Sequence, residues 1–196
     1  MKMLNKGLRA ISQKRAIALK IVVVVGVGAL LCVRVNAQES GGARGGDGTS
    51  ASASAPGVVT QRSVSLSLAK TIAEATLAAC REKGYHTAAA VVDRAGQVLV
   101  ILRDEQGTAQ LTEMARRKAY TARMFRTTTM EFQKRTADNP QYAGQRNLPD
   151  ILALSGGVPI KVGDETIGAV GSAGSTLEQD DACAKAGIAK AADLLK

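Results

Sequence analysis

Two short stretches of this 196-residue chain hold the side chains best suited to chemistry, and a single histidine stands apart from both. The first stretch is ARRKAYTARMF, residues 115–125. At a helical repeat Lys118 falls seven residues after Leu111, in a stripe with Ala115, Ala122 and Phe125, and Thr121 is its i+3 neighbour. A lysine inside an apolar stripe must snorkel to water, find a carboxylate or meet a ligand. Burial also lowers a lysine's pKa, so Lys118 could act as a base or an amine toward a small carbonyl compound or aromatic acid. Arg117 follows Glu113 by four residues, the order that favours an ion pair on a solvated face.

The second stretch is GGVPIKVGDETIGAVGSAGS, residues 156–175. A Walker loop would need a lysine before its closing Ser or Thr, and a dinucleotide fingerprint needs GxGxxG between strand and helix. Gly168, Gly171 and Gly174 recur every third residue and match neither. Glycines within strands mark places where another backbone or a ligand comes close, so these point to close approach rather than to a phosphate cradle. Gly174, ahead of a helix start, offers an anion only a weak hold.

His86 lies in a short loop between the first helix and the first strand. Any Ser-His-Asp arrangement would depend on it alone, and the chain has no GxSxG elbow, HExxH helix or CxxC pair. Cys80 and Cys183 sit in Ala-rich helical segments, where cysteine commonly serves as a small buried hydrophobe. Buried thiols are therefore expected over a disulfide.

These residues must be positioned by the elements around them. Leu68, Ile72, Ala75 and Ala79 share one face of a first helix that stops at Gly84. TAAAVVD and QVLVILR flank Arg94-Ala95-Gly96 as a hairpin, and their continuous apolar character suggests strands covered on both faces. A helix follows over 111–125, and Thr128 with Glu131 reads as a capping box for a shorter one. After a loop holding Pro140, Gly144 and Pro149 come about three strands, from Leu152 to Ala173. Ser175 with Glu178 then suggests a second capping box, for a last helix whose inner face carries Ala184, Ile188, Ala191 and Leu195. Hairpins with helices gathered around them imply an α+β domain on a mainly antiparallel sheet of about five strands.

The ends of the chain differ from its middle. Residues 1–37 pair a basic start with the apolar run Ile21 to Val33 and close on VNA, the pattern of an export signal, with an uncleaved anchor as the alternative. Residues 38–59 are rich in Gly, Ser and Ala and read as a flexible linker; residues 60–196 form the domain. The full chain has 26 basic and 17 acidic residues, but seven of the basic ones lie in 1–37 with no acid, leaving 19 against 17, or +2. The high charge thus belongs to the targeting segment and gives no ground for nucleic-acid binding. A periplasmic or secreted protein is expected.

RKAYTA at 117–122, GGVPI at 156–160, IGAVGSAG at 167–174, EQD at 178–180 and the hairpin VVDRAGQVLVILR together resemble the GlcG/HbpS-like haem-binding family, which includes the C-terminal domain of PduO-type adenosyltransferases. Gly171-Ser172-Ala173-Gly174-Ser175 stands where many members read GVSGG. The resemblance implies a profilin-like α+β fold, self-association into dimers or rings, and haem bound near subunit surfaces for sensing, storage or transfer. It makes Thr121 a candidate axial contact to iron, with His86 and Tyr120 as alternative donors. Arg116, Arg117 and Lys118 would pair with haem propionates, and Gly171 and Gly174 would lie against the ligand. With five aromatic residues and no tryptophan, a deep aromatic pocket is not expected, and the flat macrocycle is placed beside the Lys118 helix at a surface or interface. Two other classes stay open: an enzyme or accessory factor for a small organic or aromatic acid, and a structural oligomerisation module.

Overall fold

The structure is a computed structural model that describes residues 57–196; the segment expected to be an export signal and most of the expected linker lie outside the described residues. Among these residues no helix is long and apolar enough to cross a membrane.

Helix α1, Leu66–Arg81, starts where the Ser65 hydroxyl accepts from the Leu68 N–H, and its chain reverses through Gly84 at φ 79°. Its buried face is Leu68, Ala69, Ile72, Ala73, Thr76 and Cys80, turned slightly from the expected stripe, so that Ala75 and Ala79 are only half-buried. Strands β1, Ala88–Val92, and β2, Val98–Arg103, form the expected hairpin. Helix α2 is Gln110–Phe125, and α3, Thr129–Asp138, begins on the expected capping box, with Thr128 and Glu131 satisfying each other's N–H groups. The following loop contains a single helical turn, α4 (Pro140–Ala143), and a 3-10 turn over Gly144–Asn147. Strands β3, Gly157–Val162, and β4, Glu165–Ala173, precede helix α5, Leu177–Lys190.

The four strands run in the order β2-β1-β4-β3 with every neighbour antiparallel, which gives the α+β class expected. The strand count is four rather than about five, because Leu152–Leu154 pairs with nothing and leads into β3 as irregular chain. Coverage also differs along the hairpin. Every residue of β1 is buried, since it sits between two strands with helices on both faces, whereas β2 is an edge strand that leaves Val98 and Ile101 exposed. Helices α1 and α5 pack on the face carrying Ala89, Val91 and Val170. Helix α2 packs on the other, through a seam of Ala88, Ala90, Ala115, Ala119, Ala122, Ala169 and Ala173.

Two further expectations are corrected. The cap of α5 is Thr176, whose hydroxyl accepts from the Gln179 N–H, while Ser175 instead donates to Asp180 at 2.6 Å. Cys80 and Cys183 form a disulfide between α1 and α5 with Cα atoms 5.5 Å apart. Helical sequence context fixes the burial of each sulfur but says nothing of the distance between two helices 103 residues apart, and here packing through Gly187 lets α5 lie directly on Ile72 and Thr76 of α1.

Candidate functional site

Gly157 and Gly171 of the second stretch bed helix α2 on the sheet, whereas Gly168 lies against Val64 and the Val92 carbonyl. A Cβ at Gly171 would overlap the Ala115 carbonyl oxygen and lie 2.7 Å from the Ala119 nitrogen, and one at Gly157 would meet the Lys118 carbonyl and the Thr129 methyl group. The approach of backbones that the glycine pattern suggested is therefore real, but Gly171 is filled by α2 rather than by a ligand.

Lys118 is fully buried at 0 % exposure. Of the three outcomes open to it, it has found a carboxylate: its ammonium donates to Asp180 Oδ2 at 2.7 Å and to the Ser172 carbonyl at 2.9 Å. The side chain passes the glycine at 156, where a Cβ would come within 3.0 Å of Nζ. Asp180 is completed by the Ser175 N–H and hydroxyl, and it sits in the first turn of α5, where a carboxylate suits the helix dipole. Desolvation pushes the Lys118 ammonium below its ordinary pKa, and the Asp180 carboxylate opposes that shift. Thr121 is equally sealed, donating to the Arg117 carbonyl at 2.8 Å and accepting from the Leu152 N–H at 2.9 Å. Placing a macrocycle against Lys118 and Thr121 is thus corrected for this chain: both groups are enclosed and their polar atoms are in use.

The flanking residues are more open. Arg117 donates to the Ile151 carbonyl at 2.7 Å instead of pairing with Glu113, which Arg116 takes at 2.8 Å while also reaching Asp150 at 2.6 Å. Tyr120 is half-buried against the β1–β2 turn, near Gly96. Gly174, at φ 132°, packs under the His86 carbonyl and Leu111, so it belongs to the neighbourhood of His86 and not to that of Lys118.

His86 is the predicted donor that the fold presents outward. Its side chain is 40 % exposed, and Nδ1 lies 3.0 Å from Oδ1 of Asp104, itself buried at 3 %. Asp104 also accepts from Arg81 Nε and Nη2, at 3.0 and 2.7 Å, and from the Gln106 N–H at 3.0 Å. The Arg81 guanidinium, the Gln106 N–H and His86 together hold its carboxyl down at about 2, against an ordinary value of 3.8. An ionised carboxylate only accepts, so Nδ1 carries a proton, and in the neutral imidazole the lone pair is then on Nε2. Nε2 has no hydrogen-bond partner among the described residues, and a carboxylate behind the ring is the usual device for orienting a metal-binding imidazole. Asp104 and Arg81 are the site residues that sequence reasoning missed. The signal was present in the hairpin: pairing Ala88 with Arg103 sets Asp104 opposite Thr87, beside His86.

Residues 64–189 match the family model described as haem-degrading protein HbpS-like. The chain belongs to this HbpS-like family. It is similar to a double mutant of HbpS from Streptomyces reticuli, at 32 % identity and a TM-score of 0.64 over 79 % of this chain and 97 % of that one. It is 31 % identical over 119 residues to an uncharacterized 15.0 kDa protein of the dhaT-dhaS intergenic region of Citrobacter freundii, spanning 60 % of this chain and 84 % of that protein. The crystal structure of a PduOC:heme complex shares the fold, with a TM-score of 0.60 at 23 % identity, over 65 % of this chain and 94 % of that one.

Proposed function

We propose that this protein is an exported haem-binding protein and that His86 supplies the bond to iron. The observation that carries the reading is the His86–Asp104–Arg81 arrangement, a partly exposed imidazole whose free Nε2 is fixed by a buried carboxylate. Membership of a family described as haem-degrading supports the same ligand. Among the described residues no three His, Cys, Asp or Glu side chains gather to hold a metal ion, and a lone protein donor suits iron already held by a macrocycle. Bound haem would supply iron and its redox chemistry; the chain would supply the His86 imidazole and, through Asp104, its orientation. Arg81, 58 % exposed, stands close by for a propionate.

Export is supported by the Cys80–Cys183 disulfide, which persists in oxidising compartments, and by the character of residues 1–37. Self-association is supported by the edge strand β2, with Val98 and Ile101 outside. Titrating the intact protein with haemin tests the ligand. A saturable Soret change is expected, shifted in His86→Ala and unchanged in Thr121→Ser; no saturable change, or a His86→Ala spectrum identical to wild type, overturns the proposal. Slow loss of the Soret band under peroxide would extend it from binding to breakdown.

A further inference from the structure

A second cluster of charge lies at the far end of β1 from His86. There the β1–β2 turn, the C-terminus of α2 and the β3–β4 turn converge on a cleft of about 170 Å3 lined by Arg94, Arg123, Arg126, Asp164, Glu165 and Thr166. Arg94 is neutralised by Glu165, which also takes Arg62 at 2.6 Å. Asp93, beside the cleft, is occupied by the N–H groups of Ala95 and Gln97 at 2.8 and 2.9 Å. That leaves Arg123 and Arg126, neither of which makes an ion pair among the described residues, although Nε of Arg123 is buried without an acceptor. Burial, with Arg94 and Arg126 close by, pushes the Arg123 guanidinium below its ordinary pKa.

Basic side chains at a helix C-terminus do offset the helix dipole, which accounts for arginines at this end. It does not account for a buried guanidinium N–H that nothing accepts, because leaving such a donor unmade carries its full desolvation cost. Nor does it account for Arg126, which holds φ 53° at the position ending α2 where glycine is the usual residue. What the cleft does offer is room for an acceptor from solvent at the outer N–H groups of two guanidiniums that the fold leaves without an ion pair.

We propose that this cleft binds a small oxyanion, a carboxylate or a phosphate, between the guanidinium groups of Arg123 and Arg126. Each presents paired N–H donors suited to two oxygens of one ligand. Asp164 also lines the cleft unpaired and Asp93 keeps its charge beside Arg123, so Arg62, Arg94, Arg123 and Arg126 face Asp93, Asp164 and Glu165, a net of +1 that favours a singly charged anion or one retaining a proton. The volume holds roughly five or six water-sized groups, which admits acetate or phosphate and excludes a macrocycle. The site is independent of the haem reading. Arg94 lies eight positions after His86 along largely extended chain, a span on the order of 25 Å.

The intact protein is titrated with sodium phosphate and with sodium acetate, against sodium chloride at matched ionic strength, by thermal melting and calorimetry. At least one oxyanion is expected to raise Tm saturably where chloride does not, and which one does so separates the two ligand chemistries. Arg123→Gln should weaken that anion by about tenfold or more. Arg126→Gly should keep or raise Tm without ligand, because glycine accepts the left-handed backbone, yet lose the anion-dependent increment. The haemin response of both variants should match wild type, so a failure at this cleft and a failure at His86 give different results. A shift that chloride reproduces, or wild-type anion affinity in both variants, overturns the inference.

Discussion

At the scale of single residues, Lys118 and His86 exchange the roles their sequence contexts suggest. Lys118 lies in the motif that resembles a ligand-binding signature, but its charge is spent inside the protein on Asp180. Removing one partner of a buried pair strands the other, so Lys118→Met should cost about 3–5 kcal/mol in denaturant unfolding, and adding Asp180→Asn should recover part of it. An unaltered midpoint for Lys118→Met would show that the pair carries no stability. Asp104 makes a second prediction. Its pKa is about 2 in the fold against 3.8 ordinarily, so between those values the unfolded chain binds more protons. The stabilisation is complete above about pH 4 and is lost as pH falls toward about 2; a melting series over that window should fall more steeply for wild type than for Asp104→Asn. Periodicity revealed that Lys118 needed a partner, but not which one, because Asp180 arrives from an element 62 residues away.

At the scale of elements, helix α2 rests on alanine and glycine with backbone nearly touching backbone. Gly171→Ala should therefore cost about 1–3 kcal/mol by lifting α2, whereas Gly144→Ala, with nothing within 4 Å of the new methyl, should stay within about 0.5 kcal/mol. Equal stability for the two variants would refute the packing account. Most elements were legible in the chain, since helical stripes, the hairpin around Gly96 and the Thr128–Glu131 box are all local signals. What failed was tertiary. The residues Leu152–Leu154 are as apolar as a strand, yet Leu152 gives its N–H to Thr121 instead of to a neighbouring strand. Edge position, which leaves Val98 and Ile101 of β2 exposed, is likewise invisible in a run of valine, leucine and isoleucine.

At the scale of the whole molecule, the disulfide closes a loop of 103 residues, long enough for its loss to cost about 2–5 kcal/mol. Cys80→Ala with Cys183→Ala should lower Tm accordingly, and an unchanged Tm would mean that helix packing alone sets the α1–α5 contact. The position of Cys183 adds a mechanical consequence. It lies three residues after Asp180 on α5, so α2 is tied to α5 by the ammonium–carboxylate pair, and α5 to α1 by sulfur, within one turn of helix. The ammonium–carboxylate pair thus fastens α2 to the α1–α5 layer while sulfur fastens the two helices of that layer to each other, so that loosening one tie is felt at the other. Reducing the disulfide should therefore speed amide exchange in α2, a helix that touches neither cysteine.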